Sequence, residues 1–344
     1  MPSLELLSDI VRNPAFDPAE VERVRAQQIT GVEQELRTPA SIAARTAAPL
    51  IYGENSPYAG PGNGTVASLR SITRDDITGF KNRWIRPDNG EVFVVSDRPI
   101  DEIVTALDAV FGDWQAPTVA KGEKAFATQP KEAEANRIVL VDRPNSPQSY
   151  IYGGQMTPAD ARDETYVDFL NANNALGGNF LARLNMNLRE AKGWSYGVRG
   201  TPLTNEKAVA YTVRAPVQAD RTGDALAELI RETSEFLGTN GVSDEELTRI
   251  VTAEIGELPG QFETSGAILR AMQTNALYGR PDDHYERLAD RYRAQTTESL
   301  DAAARAAIDP DRFVWVVVGD AEIVAPQLEQ LGLPVERVEM GASE

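Results

Sequence analysis

Two stretches of this chain match each other in order and spacing, and a chain built from a repeated unit must fold two versions of one supersecondary pattern. Asp17-Pro-Ala-Glu-Val-Glu-Arg-Val opens a helix with an Asp N-cap, a proline at the first helical position and early acids. Ser243-Asp-Glu-Glu-Leu-Thr-Arg-Ile does the same 226 residues later. With that shift held and no gap, Glu20 meets Glu246, Arg23 meets Arg249, Ile29 meets Ile255, Ile42 meets Ile268, and Ile51-Tyr52-Gly53 meets Leu277-Tyr278-Gly279. A second block keeps register at a shift of 223, where Pro87-Asp88 meets Pro310-Asp311, Val94-Val95 meets Val317-Val318, and Asp97 meets Asp320. In each copy the Pro-Asp turn leads into an apolar strand (Glu91–Ser96 and Phe313–Gly319), then an Asp and a helix (Ile100–Phe111 and Ile323–Leu331).

The copies are unequal. Residues 137–226 have no counterpart in the first copy, and the helix-first start at Met1 favours a deletion there over an insertion later. The unit is then about 225 residues, with about the first 100 of copy one absent. The expected organisation is 1–115 as the back part of a first repeat domain, 116–136 as a linker, and 137–344 as a complete second repeat domain. The linker is polar, proline-punctuated and without periodicity. Loss of the first copy's strands should leave apolar surface exposed, which makes self-association an expectation.

Within 137–226 the pattern predicts strands over Arg137–Asp142 and Gln148–Gln155, the latter passing through Gly153-Gly154. It predicts helices over Asp163–Leu176, capped by Gly177-Gly178, and over Phe180–Ala191, capped by Lys192-Gly193. Strands over Ser195–Gly200 and Ala208–Ala215 flank a turn at Pro202–Glu206, and a long helix covers Asp224–Leu237. This order implies an α+β fold: tandem duplicated α/β sandwich domains, each a mostly antiparallel sheet covered by helices, the first copy truncated.

Composition narrows the chemistry. There is no cysteine and one histidine in 344 residues, so disulfides, zinc fingers, Fe–S clusters and thiol catalysis are excluded, as is a His-rich zinc site within the chain. The net charge of −18, with basic residues interspersed among acids, argues against nucleic acid. The apolar runs are strand-length, which argues against membrane insertion. Met1-Pro-Ser-Leu-Glu-Leu-Leu has neither a basic region nor an apolar core of a signal peptide; it reads as an amphipathic helix with Leu4, Leu7, Ile10 and Val11 on one face.

Three passages resemble the pitrilysin/insulinase family of zinc metallopeptidases. Leu6–Phe16, with Asn13-Pro14-Ala15-Phe16, looks like the family's helix and turn after its metal motif. Thr73–Ile77, Trp84–Asn89 and Val92–Val95 look like its closing helix and strand. Leu176-Gly177-Gly178, Arg183-Leu184 and Leu188-Arg-Glu-Ala-Lys-Gly-Trp-Ser-Tyr196 look like the signature of its second domain, and this passage is the most specific.

The resemblance implies that two halves close around peptide substrates and that zinc sits on His-x-x-Glu-His with a distal glutamate. That motif is absent here, and the distal-ligand position falls near Gly31, with Glu33 and Glu35 close by. No residue of this chain is therefore expected to be catalytic or to bind metal, and zinc belongs to a partner domain or chain. The implied role is that of the non-catalytic half, similar to the C-terminal substrate-binding domain, inactive alone and completing the partner's active site over a peptide. Arg189 and Tyr196 match the family's substrate-binding pair: an arginine fork for a peptide carbonyl and a phenol that donates to a developing oxyanion. Strand addition of the peptide to a sheet edge is expected as well.

The alternative is a non-enzymatic assembly subunit of the same fold, which would bury Arg189 and Tyr196 in a core. Periplasmic localisation is implied by the family alone. His284, in Asp282-Asp283-His284-Tyr285-Glu286 after a Tyr-Gly-Arg-Pro turn, reads as a structural or solvated residue at a helix start.

Overall fold

The computed structural model describes residues 2–126 and 136–338, so part of the expected linker lies outside the described residues. Helices in chain order are α1 (Pro2–Arg12), α2 (Pro18–Glu35), α3 (Pro39–Tyr52), α4 (Val66–Ser71), α5 (Arg74–Trp84) and α6 (Ile100–Phe111). They continue with α7 (Thr165–Leu176), α8 (Arg183–Asn185), α9 (Thr222–Leu237), α10 (Asp244–Glu257), α11 (Ser265–Tyr278), α12 (His284–Ala294), α13 (Thr297–Ala307) and α14 (Ala321–Glu329). Strands are β1 (Arg137–Asp142), β2 (Gln148–Thr157), β3 (Arg199–Asn205), β4 (Ala208–Gln218), β5 (Val314–Gly319) and β6 (Val335–Val338). Among the described residues no helix is long and apolar enough to cross a membrane.

The chain forms two compact units that interleave in sequence: residues 1–33, 63–125 and 261–274 make one, and residues 34–62, 126–260 and 275–344 the other. Compactness therefore divides the chain along different lines from the repeat, which is a statement about duplication.

The second unit is built on one mostly antiparallel sheet of order β3-β4-β2-β5-β1-β6. β3, β4, β2 and β5 alternate in direction, whereas β1 runs parallel to both β5 and β6. β5 is buried along its whole length because both faces of the sheet are covered, which is why its sequence is a continuous apolar run. Side chains alternate across the pleat. Trp315 and Val317 join the core shared with Phe169 of α7, Leu226 of α9, Leu300 of α13 and Leu328 of α14. Val314, Val316 and Val318 face the other way, onto Ile42, Ala43, Ala47 and Ile51 of α3, which packs on β2 and β5. Two glycines in β2 make this possible. A Cβ at Gly153 would strike the Trp315 ring, and one at Gly154 would strike Ile51, so each is a site of close approach.

The first unit is thinner. Val32 and Val110 are its buried apolar side chains among the described residues. Hydrogen bonds carry much of its assembly. Ser8 Oγ donates to the Val110 carbonyl at 2.7 Å, fixing α1 on α6, and Arg12 donates to the same carbonyl at 2.9 Å. Arg86, 6% exposed, holds Asp88 and donates to the carbonyls of Pro117 and Val119. α5 begins with a Thr73/Asp76 capping box.

Three local expectations are corrected. Glu91–Ser96 is not a strand, because among the described residues no strand pairs with it. The helix over Phe180–Ala191 starts only at Arg183, since Asn179 Oδ1 accepts from Leu181 N at 2.9 Å and holds a turn there. Of the strand expected over Ser195–Gly200, Ser195 makes only a bridge to Val217 and Arg199 and Gly200 begin β3, which runs on through Pro202, which sequence placed in a turn. α1 is a helix as expected, with Leu7 and Ile10 exposed, while Ser8 makes its bond to α6.

Candidate functional site

Arg189 and Tyr196 sit at the two ends of one rigid corner. α8 runs directly into a π-helical turn, Met186–Ala191, which carries Arg189. Such turns insert a residue into a helix and are recurrent at functional positions. Leu184 and Leu188 are buried and anchor this segment to the helical core. The chain then reverses at Lys192-Gly193, with Gly193 at φ 67°, a left-handed value that suits glycine. Trp194 N and Ser195 N both donate to the Leu188 carbonyl, at 2.9 and 3.3 Å. Ser195 Oγ donates to Pro216 O at 2.6 Å, and Asn185 Oδ1 accepts from Val198 N at 3.0 Å, locking the residues on either side of Tyr196.

On this frame the Tyr196 side chain is free, with the residue 85% exposed. Arg189 lies over the Phe180 ring, its guanidinium carbon 4.4 Å from the centroid, and makes a long ion pair with Glu190 at 3.5 Å. Neither residue is in the core, which is where the assembly-only alternative would have put them. The Phe180 platform was not foreseen; its only sequence signal is an aromatic residue just ahead of the Arg183-Leu184 passage.

The surroundings are acidic but internally paired. Asn187 donates to Glu228 and Glu232 at 2.7 Å each, and Arg231 bridges Glu228, Glu232 and Glu235. Burial raises the Glu228 carboxyl, yet hydrogen bonds from Arg231 and Asn187 outweigh it and leave the group below its ordinary range. Arg183, at the start of α8, grips Glu246 of α10 at 2.6 Å and the Gly241 carbonyl at 2.7 Å. These bonds fix the helix whose end carries Arg189.

Strand addition meets an obstacle at β3, the sheet edge beside this corner. Its outward Gly200 N–H is already given to Gly177 O at 2.9 Å, and Pro202, two residues on, has no N–H to give. The Thr204 carbonyl is reached by the Tyr278 hydroxyl at 3.5 Å. This edge is blunted in the manner of protected edge strands.

The donor set does not fit zinc. Among the described residues no group of three or more His, Cys, Asp or Glu side chains could hold a metal ion. Gly31 stands inside α2 without a ligating side chain, and Glu35 is engaged by Arg45 at 2.6 Å. His284 begins α12 edge-on to the Tyr285 ring, 5.0 Å between centroids, and burial followed by the nearby Arg280 lowers its imidazole below the ordinary value.

A separate pocket of about 240 Å³ lies beside Tyr52, Tyr58, Met156 and Asn205. Asn205 donates to the Tyr52 hydroxyl at 3.2 Å, and burial pushes that phenol up to about 12. Nothing in the sequence pattern pointed to this pocket.

The sequence family of the peptidase M16 inactive domain matches residues 71–254, more than half of the chain. The chain belongs to that family. The resemblance to the non-catalytic half of the pitrilysin/insulinase-like peptidases therefore holds. An uncharacterized zinc protease of Streptomyces coelicolor is 21% identical over 309 residues, covering 88% of this chain and 66% of that protein. An uncharacterized zinc protease of Mycobacterium bovis is 24% identical, covering 88% and 68%. This M16 chain thus spans about two thirds of the length of the curated relatives it matches. A peptidase M16 inactive domain from Pseudomonas fluorescens shares the fold with a TM-score of 0.84 at 22% identity, covering 93% of this chain and 74% of that one. The periplasmic protease PqqL of Escherichia coli matches with a TM-score of 0.66 at 15% identity, and the match covers 32% of its chain.

Proposed function

We propose that this M16 chain is the non-catalytic half of a zinc metallopeptidase, binding peptide and completing the active site of a zinc-bearing M16 partner domain or chain. The observation that carries this reading is the Arg189–Tyr196 corner: two recognition side chains outside the core, on a segment braced at every turn by buried leucines and backbone hydrogen bonds. Bracing matters because a donor helps a developing oxyanion only if it is already in place. Tyr196 supplies an O–H donor and Arg189 a planar fork whose apolar face is already held by Phe180. Because the β3 edge is blunted, these side chains rather than added backbone pairing carry the peptide contact.

The domain reading that goes with it is 1–115 as the back part of a first repeat, 116–136 as a linker and 137–344 as a complete second repeat. Matched local devices support it. α5 and α13 both begin with threonine capping boxes, at Thr73 and Thr296, in the 223 register. α3 and α11 are each 14 residues long and run into Tyr-Gly, with Gly53 at φ 82° and Gly279 at φ 59°. Export to the periplasm is the location this reading favours, by likeness to proteases such as PqqL.

The test is to titrate the chain into a zinc-bearing M16 subunit from the same organism and measure cleavage of a fluorogenic peptide. Activity should rise with added chain and saturate. Arg189→Ala should cut the saturating activity by roughly tenfold to a thousandfold, the range for losing a transition-state donor or clamp. No response to the chain, or equal activity with Arg189→Ala, overturns the proposal.

A further inference from the structure

Acids outnumber basic residues in this chain by 52 to 34, and arginines drawn into the fold hold one: Arg86 pairs with Asp88, Arg183 with Glu246 and Arg291 with Asp168. Two arginines of the sheet depart from this pattern. Arg199 of β3 and Arg214 of β4 stand directly opposite each other, and Tyr152 of β2 is opposite Arg214 on its other side. Residues directly opposite share a face of the sheet, and here it is the face on which α3 packs across β2 and β5. Among the described residues neither arginine makes an ion pair. Arg199 gives one N–H to the Gly178 carbonyl, and Arg214 makes no hydrogen bond.

Like charges directly opposite on a sheet repel, and a guanidinium drawn part-way out of water costs free energy unless an acceptor meets it. Arg214 is half-buried, and its Nε is closed off from solvent with no hydrogen-bond partner. Its guanidinium carbon lies 5.5 Å from the centroid of the Tyr152 ring, much as Arg189 lies over Phe180. A ring holds the face of a guanidinium in place and leaves its N–H edge for a ligand. Tyr150, half-buried on the same face of β2, brings a hydroxyl with no protein partner among the described residues. Burial raises that phenol, so it remains a donor at neutral pH. The row thus offers several donors and no acid.

We propose, on the peptide-binding reading above, that Arg199 and Arg214 bind a carboxylate of the peptide, an acidic side chain or the peptide's own C-terminus, with Tyr150 as a further donor. A planar fork of N–H groups matches the two oxygens of a carboxylate. The pair also lies on the path from the corner. The chain ahead of β3 bridges to β4 at Ser195 and Val217, and β3 begins at Arg199, so Tyr196 lies between that bridge and the arginine pair. From Tyr196 to Arg199 is about 10 Å of extended chain, a span that a few residues of a bound peptide also cover. A polyanion is a poorer ligand, because a net charge of −18 and the Glu228, Glu232 and Glu235 cluster around the corner repel it.

The experiment titrates the full chain by calorimetry with three peptides of one neutral sequence: amidated at the C-terminus, carrying a free C-terminus, and amidated with a single internal Glu. At least one carboxylate peptide should bind roughly tenfold to a hundredfold more tightly than the neutral one, and which of the two gains identifies the source of the carboxylate. Arg214→Gln should erase that advantage, whereas Arg214→Lys, which keeps the charge and loses the fork, should retain part of it. If Arg214→Gln does not fold by circular dichroism, Arg199→Gln, at an exposed position, decides in its place. Equal affinity for all three peptides, an advantage that survives Arg214→Gln, or no binding at all overturns the proposal. Arg189→Ala separates the two readings. Three equal affinities that all fall with Arg189→Ala overturn the carboxylate site and leave the corner standing. A carboxylate advantage lost with Arg214→Gln, in a chain whose affinities ignore Arg189→Ala, supports the carboxylate site and overturns the corner.

Discussion

β5 and the segment 91–96 are near-copies in composition, Val-Trp-Val-Val-Val-Gly against Glu-Val-Phe-Val-Val-Ser, yet only one is a strand. β5 has β2 on one side, β1 on the other and a packed layer over each face. The segment 91–96 has the same β-branched and aromatic side chains and no ladder. Strand propensity is thus a fit to neighbours more than a property of the segment. The same contrast runs through the two units: one has a two-sided core around a sheet, the other a few buried side chains and many polar ties.

The sharpest way to break the comparison is to mutate register mates. Trp315 is 1% exposed and stacks on Phe313 with centroids 4.9 Å apart, so Trp315→Ala should cost about 3–5 kcal/mol in urea unfolding. Val92→Ala should change stability by no more than about 0.5 kcal/mol. Equal losses would mean that the segment 91–96 is packed in solution.

Ion pairs give a smaller contrast. Arg183→Ala removes charge-assisted bonds to Glu246 and to two backbone carbonyls in the second unit, and about 1.5–3 kcal/mol should be lost. The exposed Arg98–Glu102 pair of the first unit, at 3.5 Å, should contribute about 0.5 kcal/mol or less. The first pair also sets an acid response. Burial raises the Glu246 carboxyl, but the Arg183 and Ser243 hydrogen bonds outweigh it and hold the group below its ordinary 4.5. A depressed carboxylate stabilises the fold above that value, and the contribution fades as pH falls through the lower folded value. Thermal melts of wild type and Glu246→Gln should therefore differ at pH 7, and the gap should narrow as pH falls from the ordinary 4.5 through the lower folded value. A gap that does not narrow in acid contradicts this assignment.

The smallest effect comes from the matched caps. Thr296→Ala should cost about 1 kcal/mol in global unfolding. Thr73→Ala removes the same cap from α5, and its cost should appear mainly as faster local amide exchange in α5. Equal global losses would make the first unit as cooperative as the second.

Much of the second unit was legible because its elements carry strong local signals. β1, β2, β4 and β5 follow apolar runs bounded by turn residues, and α7 and α9 follow helical periodicity, as α6 does in the first unit. The misses have physical causes. Pro202 reads as a turn, yet on an edge strand its missing N–H can face outward at no cost. The turn held by Asn179 and the π-helical turn at Met186–Ala191 depend on hydrogen bonds to groups that periodicity does not encode. Nothing in Pro39–Tyr52 says that α3 will lie on β2 and β5, both far along the chain, because a helical stripe reveals that a face is buried but not against what. Arg189 and Tyr196 are candidates by motif resemblance alone; the Phe180 platform and the bracing of Tyr196 are visible only in three dimensions.

Native-state hydrogen exchange of the full chain tests the central contrast most directly. The amides of β5 should be protected to near the free energy of global unfolding, and those of Val92 to Val95 should exchange close to the rate of an unstructured peptide. Protection of both segments to the same extent in the isolated chain would contradict the account.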